Sequence, residues 1–236
     1  MGAGIAESAA VAGLPVVVRD VDEPSIDRAR QRLDASLERA VAGDKLDAAH
    51  AAVARDRIEL TTDLGAISGA DLVIEAVPED ERLKLEVMHA IDGVASDTAI
   101  VASNTSSIPI AQLAQAVKNP ERVLGLHFFS PVPVMTLVEV VVALDTSDQT
   151  LATAKQFVER IGKCPIETKD RSGFIVNMLL VPYLMAAVRM YEEEFASRED
   201  IDAGMRLGCG HPMGPLALCD FIGLDVLYAV CDSLYE

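Results

Sequence analysis

The chain has 236 residues, of which 50% are hydrophobic and 24% charged, so a disordered chain is excluded and one or two folded domains are expected. Lys and Arg total 20 against 37 for Asp and Glu, which gives a net charge of -17. Nucleic acid and anionic membranes are therefore not expected as partners, because both need a concentrated positive surface.

Strands alternate with helices through the first 170 residues. A helix of small residues ends at Gly13, and the β-branched run Val16, Val17 and Val18 predicts a buried strand ending at Asp20. Helices are predicted over residues 2–12, 25–42, about 46–54, 81–95, 109–117 and 148–161, and strands over 16–20, 58–61, 72–77, 98–102, 123–128, 137–142 and 164–168. This alternation predicts an α/β fold with a mostly parallel sheet and right-handed crossovers.

The pattern changes to helix alone after residues 169–173. Helices are predicted over residues 174–195, about 198–207 and about 215–235. The domain boundary is placed between residues 170 and 171, which gives one domain over 1–170 and an all-helical domain over 171–236. The second domain carries more apolar surface than so short a segment buries alone, so it is expected to pack on the first domain or on another copy.

Cysteine usage and apolar segments exclude further classes of protein. The four cysteines form no CxxC pair, so neither a metal site nor a disulfide framework is expected. The most apolar stretch, residues 174–188, is too short and too interrupted by Asn177 and Pro182 to span a bilayer. Because the N-terminus also lacks the order of a secretory signal, a cytoplasmic protein is expected.

The start of the chain predicts a dinucleotide site. Residues 1–7 contain Gly2 and Gly4, and Asp20 follows Gly2 by 18 positions at the end of an apolar strand. That spacing is typical of the last glycine of a dinucleotide-binding turn and the acid that binds the adenosine ribose, and the carboxylate favours NAD over NADP. The alternative is an ordinary helix start and an ordinary capping Asp.

The dinucleotide fingerprint is incomplete on its N-terminal side. An apolar strand and the first two glycines of the motif would lie before Met1. We therefore expect a sheet that lacks an interior strand and has unpaired backbone groups on its neighbours. Weakened NAD binding and stability follow unless the natural protein starts earlier.

Two features at strand ends are candidates for a ligand site. The polar run 103–107 follows a buried strand directly, at the sheet edge where ligands of parallel sheets bind. His127 lies near the end of the next strand. The alternatives are a turn with a helix cap for the polar run, and an ordinary core or surface histidine.

A carboxylate within an apolar strand predicts a partner for His127. Glu139 interrupts residues 137–142, where an unpaired buried carboxylate would cost several kcal/mol. His127 on the adjoining strand is the candidate partner, since a Glu–His pair orients the imidazole and supports its protonated form. The alternative is an edge strand that points Glu139 to water.

Asn177 is the fourth candidate, at the start of the apolar helix that follows Gly173. A polar side chain within residues 174–181 must form hydrogen bonds or face a site. The alternative is packing against another helix.

Motifs spread over the chain carry a family resemblance. The sequence resembles the 3-hydroxyacyl-CoA dehydrogenases of the short-chain, 3-hydroxybutyryl-CoA type at residues 1–6, 73–77, 103–107, 125–129, 137–140, 170–177 and 211–215. The resemblance implies an NAD-binding Rossmann-like domain, and a helical domain for substrate binding and homodimer formation. It also implies NAD as cofactor, an acyl-CoA substrate and a role in fatty acid metabolism such as β-oxidation.

The resemblance also implies roles for individual residues. His127 would be the catalytic base and Glu139 its partner, with Ser106 and Asn177 beside the substrate. The implied cofactor contacts are Gly2, Asp20, Ala76, Glu79, Lys84 and Ser106, and Lys45 is an implied contact for the CoA portion. The sequence departs from the commonest pattern at Ser130, where single-function members usually have Asn, and it is expected to be incomplete at its C-terminal end also.

The implied reaction is the NAD-dependent oxidation of a (3S)-3-hydroxyacyl-CoA to the 3-oxoacyl-CoA, or the reverse reduction. A non-catalytic NAD- or CoA-binding or structural protein with this fold is the first alternative, against which the His–Glu pair argues. A small free hydroxy acid as substrate is the second.

Overall fold

A computed structural model describes residues 1–235, and the chain divides into two compact units. The first contains Met1–Thr105 and Pro109–Asp170, and the second contains Ser106–Ile108 and the chain from Arg171 onward. The second unit thus takes in three residues that the sequence-based boundary assigns to the first domain.

The first unit alternates helices and strands, which confirms the predicted fold class. Its helices are α1 (Gly2–Val11), α2 (Glu23–Ala42), α3 (Ala48–Asp56), α4 (Glu81–Asp92), α5 (Ile110–Ala114) and α6 (Asp148–Arg160). Its strands are β1 (Val16–Arg19), β2 (Ile58–Thr61), β3 (Leu72–Glu75), β4 (Ile100–Ser103), β5 (Val123–Phe128), β6 (Leu137–Val142) and β7 (Cys164–Lys169). Short 3-10 turns at Leu64–Ile67 and Pro120–Arg122 were not predicted.

The strands form two sheets. β1 pairs with β2, and the other five strands are ordered β3-β4-β5-β6-β7. Within residues 1–235 no strand pair joins the two sheets. Every pair is parallel except β5 with β6, because the connection over residues 129–136 is too short for the helical crossover that parallel strands need.

Helix α1 packs on both sheets. Ile5 and Ala9 lie in the core cluster with Leu124, whereas Ala6 and Ala10 lie in the cluster with Leu33 of α2. A helix buried on two faces is apolar over most of its surface, which explains its many small apolar residues; Glu7 and Ser8 are its polar exceptions.

The second unit is helical, as predicted, with two corrections. It contains α7 (Val176–Glu192), α8 (Arg198–Cys209), α9 (Pro215–Ile222) and α10 (Leu224–Tyr235). The single helix predicted over 215–235 is wrong, because Gly223 has φ +97° and separates α9 from α10. The helix predicted from residue 174 begins at Val176, because Phe174 adopts φ +48°.

The apolar helices raise the question of a membrane span. In the part of the chain that the structure describes, no helix combines the length and the apolar character needed to cross a bilayer.

Gly125, in the middle of β5, occupies a position with no room for a side chain. A Cβ added there would lie 2.8 Å from Val141 Cβ and 2.9 Å from Ile110 Cδ1. We expect Gly125→Ala to lower the free energy of unfolding by about 1–3 kcal/mol through overpacking, measured by denaturant unfolding. Gly69→Ala, at an exposed turn where an added Cβ meets nothing, is the control, and equal losses in both variants would contradict the explanation.

Candidate active site

His127 and Glu139 form a buried pair in the second sheet. They are direct register partners of the antiparallel strands β5 and β6, which places their side chains side by side on one face. His127 Nδ1 lies 2.6 Å from Glu139 Oε2, and the two residues are 4% and 0% exposed. The expected pairing is therefore present. The alternative of an edge strand is wrong, since β6 lies between β5 and β7.

This geometry suits proton transfer. A carboxylate on Nδ1 fixes the tautomer and orientation of the imidazole and stabilises its protonated form, which assigns proton exchange to Nε2. The ring of Phe129 packs against the imidazole with ring centroids 4.6 Å apart and planes tilted by 56°. An apolar, buried environment strengthens the His–Glu interaction because it excludes screening water.

The segment after β4 is tied to the histidine strand. Asn104 Oδ1 accepts a hydrogen bond of 2.9 Å from the backbone N–H of Phe128, which directly follows His127. Asn104 itself is buried, as are Ser103 and Thr105 on either side of it. The run 103–107 is thus partly a turn fixed by its own side chains, as the alternative interpretation held, and partly a brace for β5.

Three of the residues predicted to contact NAD lie at the start of α1 and after the carboxyl ends of β1 and β3. Gly2 begins α1, and Asp20 is half-buried after β1, where its Oδ1 accepts from the backbone N–H of Val21 at 2.7 Å. Ala76 follows β3 directly and is half-buried. A Cβ added at Gly2 would lie 3.7 Å from Ala76 Cβ, so the start of α1 lies beside the end of β3.

Glu79 and Lys84 lie at the start of α4. The side chain of Glu79 is 36% exposed and accepts a 2.5 Å hydrogen bond from Thr105 Oγ1. Lys84 is fully buried, and its Nζ lies 2.8 Å from Oε1 of Glu75 and 3.4 Å from Glu79. The ammonium group therefore has protein partners of its own.

Three other predicted site residues lie outside this group. Lys45 is exposed in the connection between α2 and α3. Ser106 and Asn177 both belong to the second unit, where each is half-buried and Asn177 lies in the first turn of α7. The convergence of these residues with His127 and Glu139 on one ligand remains a prediction.

The connection between β5 and β6 is held by a lysine. Lys163 Nζ donates to the carbonyl oxygens of Val132 and Met135 at 2.6 and 2.8 Å, and burial lowers the pKa of this lysine. Ser130, the position that departs from the family pattern, is exposed in the same connection. A Cβ added at Gly4 would lie 3.0 Å from Val132 Cβ, so α1 packs closely against this connection.

Glu7 on α1 predicts a pH dependence of stability. Burial raises its pKa above the ordinary value, more than the hydrogen bond to Ser36 and the attraction of Arg39 and Lys163 lower it. The free energy of unfolding should therefore fall as pH rises through the raised pKa. We expect Glu7→Gln to raise the unfolding temperature at neutral pH, and this gain to vanish below the ordinary glutamate pKa of about 4.3. Calorimetric scans across pH measure both quantities.

The control for this effect is Glu38→Gln, at an exposed position of α2. It should leave the unfolding temperature nearly unchanged at every pH. A gain for Glu7→Gln that persists at acidic pH would show that the charge of Glu7 is not its cause.

Comparison with known proteins identifies the family. Residues 1–171 match the family model of the 3-hydroxyacyl-CoA dehydrogenase NAD binding domain, and residues 173–236 match the model of the 3-hydroxyacyl-CoA dehydrogenase C-terminal domain. The chain belongs to the 3-hydroxyacyl-CoA dehydrogenase family. Its first domain is accordingly an NAD-binding domain, and its class of enzyme is the NAD-dependent oxidoreductases, as the resemblance implied.

Three similar proteins illustrate the comparison. A 3-hydroxybutyryl-CoA dehydrogenase of Mycobacterium tuberculosis is 48% identical over 238 residues, which cover 100% of this chain and 83% of that relative. The crystal structure of an (S)-3-hydroxybutyryl-CoA dehydrogenase from Ralstonia eutropha superimposes with a TM-score of 0.96 at 44% identity, covering 100% of this chain and 83% of the other. A diketoreductase that acts on dicarbonyl compounds has a TM-score of 0.91 at 31% identity, covering 97% and 82%.

Sequence reasoning named the run 103–107 as a candidate for the ligand site but missed the hydrogen bonds that its first residues and Glu75 form there. Glu75, Ser103 and Asn104 are buried polar residues whose hydrogen bonds link neighbouring strand ends. A signal for Glu75 was present, since it ends an apolar strand in the way that Glu139 interrupts one. Its partner could not be read from the sequence, because Lys84 reaches it from the next helix.

Proposed function

We propose that this chain oxidises (3S)-3-hydroxyacyl-CoA of short chain length, such as 3-hydroxybutyryl-CoA, to the 3-oxoacyl-CoA with NAD, and catalyses the reverse reduction with NADH. The observation that carries the proposal is the buried His127–Glu139 pair at 2.6 Å. A proton acceptor held by a carboxylate is what oxidation of an alcohol needs, and family membership supplies the substrate class.

The structure offers groups that fit NAD. Helix α1 has no side-chain cap hydrogen bond at its N-terminus, so its first backbone N–H groups suit the cofactor's phosphates. Asp20 follows β1 with a carboxylate that suits ribose hydroxyl groups. Gly2 and Ala76 leave room beside the helix start, and Glu79, Lys84 and Ser106 are the remaining proposed cofactor contacts.

Each protein group has one task in the proposed mechanism. Bound NAD would supply the acceptor for the hydride that leaves carbon 3 of the substrate. His127 takes the proton of the 3-hydroxyl group at Nε2, and Glu139 stabilises the imidazolium that results. Ser106 and Asn177 position or polarise the substrate oxygen, and the exposed Lys45 suits the phosphates of CoA.

The oxidation of NADH in the presence of acetoacetyl-CoA tests the proposed activity. We expect the absorbance of NADH to fall with time and saturation in both reactants. Binding of NADH without turnover would instead support the non-catalytic alternative, in which the fold is kept for binding or as a structural protein.

A smaller substrate is the second candidate, favoured by the similarity to the diketoreductase. Free acetoacetate in place of acetoacetyl-CoA separates the two possibilities. The proposed function requires kcat/KM to fall by orders of magnitude when CoA is removed, because the binding free energy of the CoA portion positions the reacting carbon. Equal efficiency with both substrates would assign the smaller one.

We also propose that the protein forms a homodimer and is located in the cytoplasm. The second unit exposes Leu179, Phe195, Leu207 and Tyr228, each at least 72% exposed, which supports a homodimer through the helical domain. All four cysteines are free, and two of them are exposed, which suits a reducing cytoplasm. Light scattering after size-exclusion chromatography measures the molar mass in solution, and we expect the mass of a dimer.

A further inference from the structure

Glu75 accepts four hydrogen bonds at the carboxyl edge of the second sheet. It ends β3 and its side chain is fully buried. Its Oε1 accepts from the Val77 backbone N–H at 2.6 Å and from Lys84 Nζ at 2.8 Å. Its Oε2 accepts from Ser103 Oγ at 2.5 Å and from Lys84 Nζ at 3.1 Å.

These bonds connect three segments. Val77 lies in the turn after β3, Ser103 ends β4, and Lys84 lies on α4. Lys84 Nζ also donates to the carbonyl oxygen of Val77 at 3.2 Å, and Ser103 Oγ accepts from the backbone N–H of Thr105 at 3.2 Å. One carboxylate therefore fixes the turns that follow two neighbouring parallel strands, where dinucleotides bind in such folds.

The charges around Lys84 show what Glu75 does for its neighbour Glu79. The buried ammonium lies in contact with Glu75 and 3.4 Å from the partly exposed carboxylate of Glu79. Without the charge of Glu75, the nearest compensating carboxylate for this ammonium would be Glu79. Glu79 would then move inward and lose its present position beside Thr105 Oγ1.

A buried ion pair contributes little net stability, because the cost of removing both charges from water offsets their attraction. Stability therefore does not require an ion pair at this point, and an apolar pair of the same size would serve the fold. A pair at the ligand edge of the sheet is suited to a positional task.

We propose that Glu75 is a positioning residue for the cofactor: by neutralising Lys84 and by accepting the hydrogen bond of Ser103 Oγ, it holds Glu79 and the turns after β3 and β4 in the arrangement that binds NAD. The inference rests on the proposed function, since it concerns the NAD site of the same enzyme. The inference adds Glu75 to the proposed NAD site as a residue that acts through Glu79 and Lys84.

The same domain contains a matched control. Asp92 and Arg122 form a second buried carboxylate–cation pair, and Arg122 also donates to the carbonyl oxygens of Ser96 and Ala99. Arg122 directly precedes β5 and Ala99 directly precedes β4, so this pair lies at the amino ends of the strands. It offers the same chemistry at the opposite edge of the sheet.

The experiment compares Glu75→Gln with Asp92→Asn in the full chain. Both variants should lower the unfolding temperature, because each leaves a buried cation without its carboxylate. Only Glu75→Gln should weaken NADH binding, measured by calorimetric titration, by about 10- to 100-fold, as expected for the loss of one charge-assisted hydrogen bond. The KM for acetoacetyl-CoA at saturating NADH should change little in either variant.

Equal NADH affinities in the two variants would overturn the inference and leave Glu75 a structural residue. Should Glu75→Gln fail to fold, Ser103→Ala decides, since it removes one donor to Glu75 and keeps both charges. A weakened NADH affinity in that variant supports the inference, and an unchanged affinity overturns it. Failure of the wild-type chain to bind NADH would instead reject the proposed function.

Discussion

Replacement of His127 by Gln should lower kcat by about 100- to 10,000-fold, the range that a general base contributes, and leave the affinity for NAD unchanged. Gln retains the approximate size of the ring and can still donate a hydrogen bond to Glu139. It has no nitrogen that accepts the hydroxyl proton of the substrate, so only the proton transfer is lost. Steady-state rates with acetoacetyl-CoA and NADH measure kcat, and calorimetric titration measures the affinity.

His89→Gln is the matched control for that substitution. His89 is an exposed histidine in the last turn of α4, so its replacement should leave kcat and the affinity for NADH unaltered. Normal turnover of the His127 variant would reject His127 as the base and with it the proposed mechanism.

Replacement of Glu139 by Gln should lower kcat by a factor comparable to that of His127→Gln. The new side chain fits the buried position, so the fold is retained, but its amide can donate to Nδ1 and favour the tautomer that carries a proton on Nε2. That tautomer cannot accept the substrate proton. We expect kcat to fall by about 1,000-fold or more, by comparison with loss of the orienting carboxylate in other triads.

A double variant tests whether the two residues act as a unit. Once His127 is absent, Glu139 has no imidazole to orient, so the double variant should be about as slow as His127→Gln alone. Losses that multiply would mean that Glu139 acts on the substrate or cofactor independently of His127. Thermal unfolding of all three variants establishes that the rates refer to folded protein.

The sequence predicts those features of the site that depend on residues within one element or in neighbouring elements. β2, β5 and β6 were predicted with their observed bounds, because apolar and β-branched runs mark buried strands locally. The pairing of His127 with Glu139 was also predictable, since a carboxylate in an apolar strand requires a partner nearby. These inferences needed only neighbouring elements.

Other features depend on a single torsion angle or on contacts between distant segments. Hydrophobic periodicity continues through Gly223, so the break between α9 and α10 is visible only in the backbone torsion. The placement of Ser106–Ile108 in the second unit and the bonds of Glu75 to Lys84 and Ser103 join segments that are far apart in sequence. Composition and spacing carry no information on such contacts.

The packing of α1 between the two sheets has a consequence for local unfolding. Ile5 and Ala9 of α1 pack in the core of the larger sheet, whereas Ala6 and Ala10 pack with Ile58 of β2 and with the side chains of β1. Local opening of β1, β2 and Asp20 would therefore break side-chain contacts of α1, which contribute to the free energy of that opening. A cofactor bound by Asp20 on one side and by the end of β3 on the other would stabilise the closed state by mass action. The protection of the backbone amides of β1 and β2 against hydrogen exchange would then rise with the occupancy of the cofactor site.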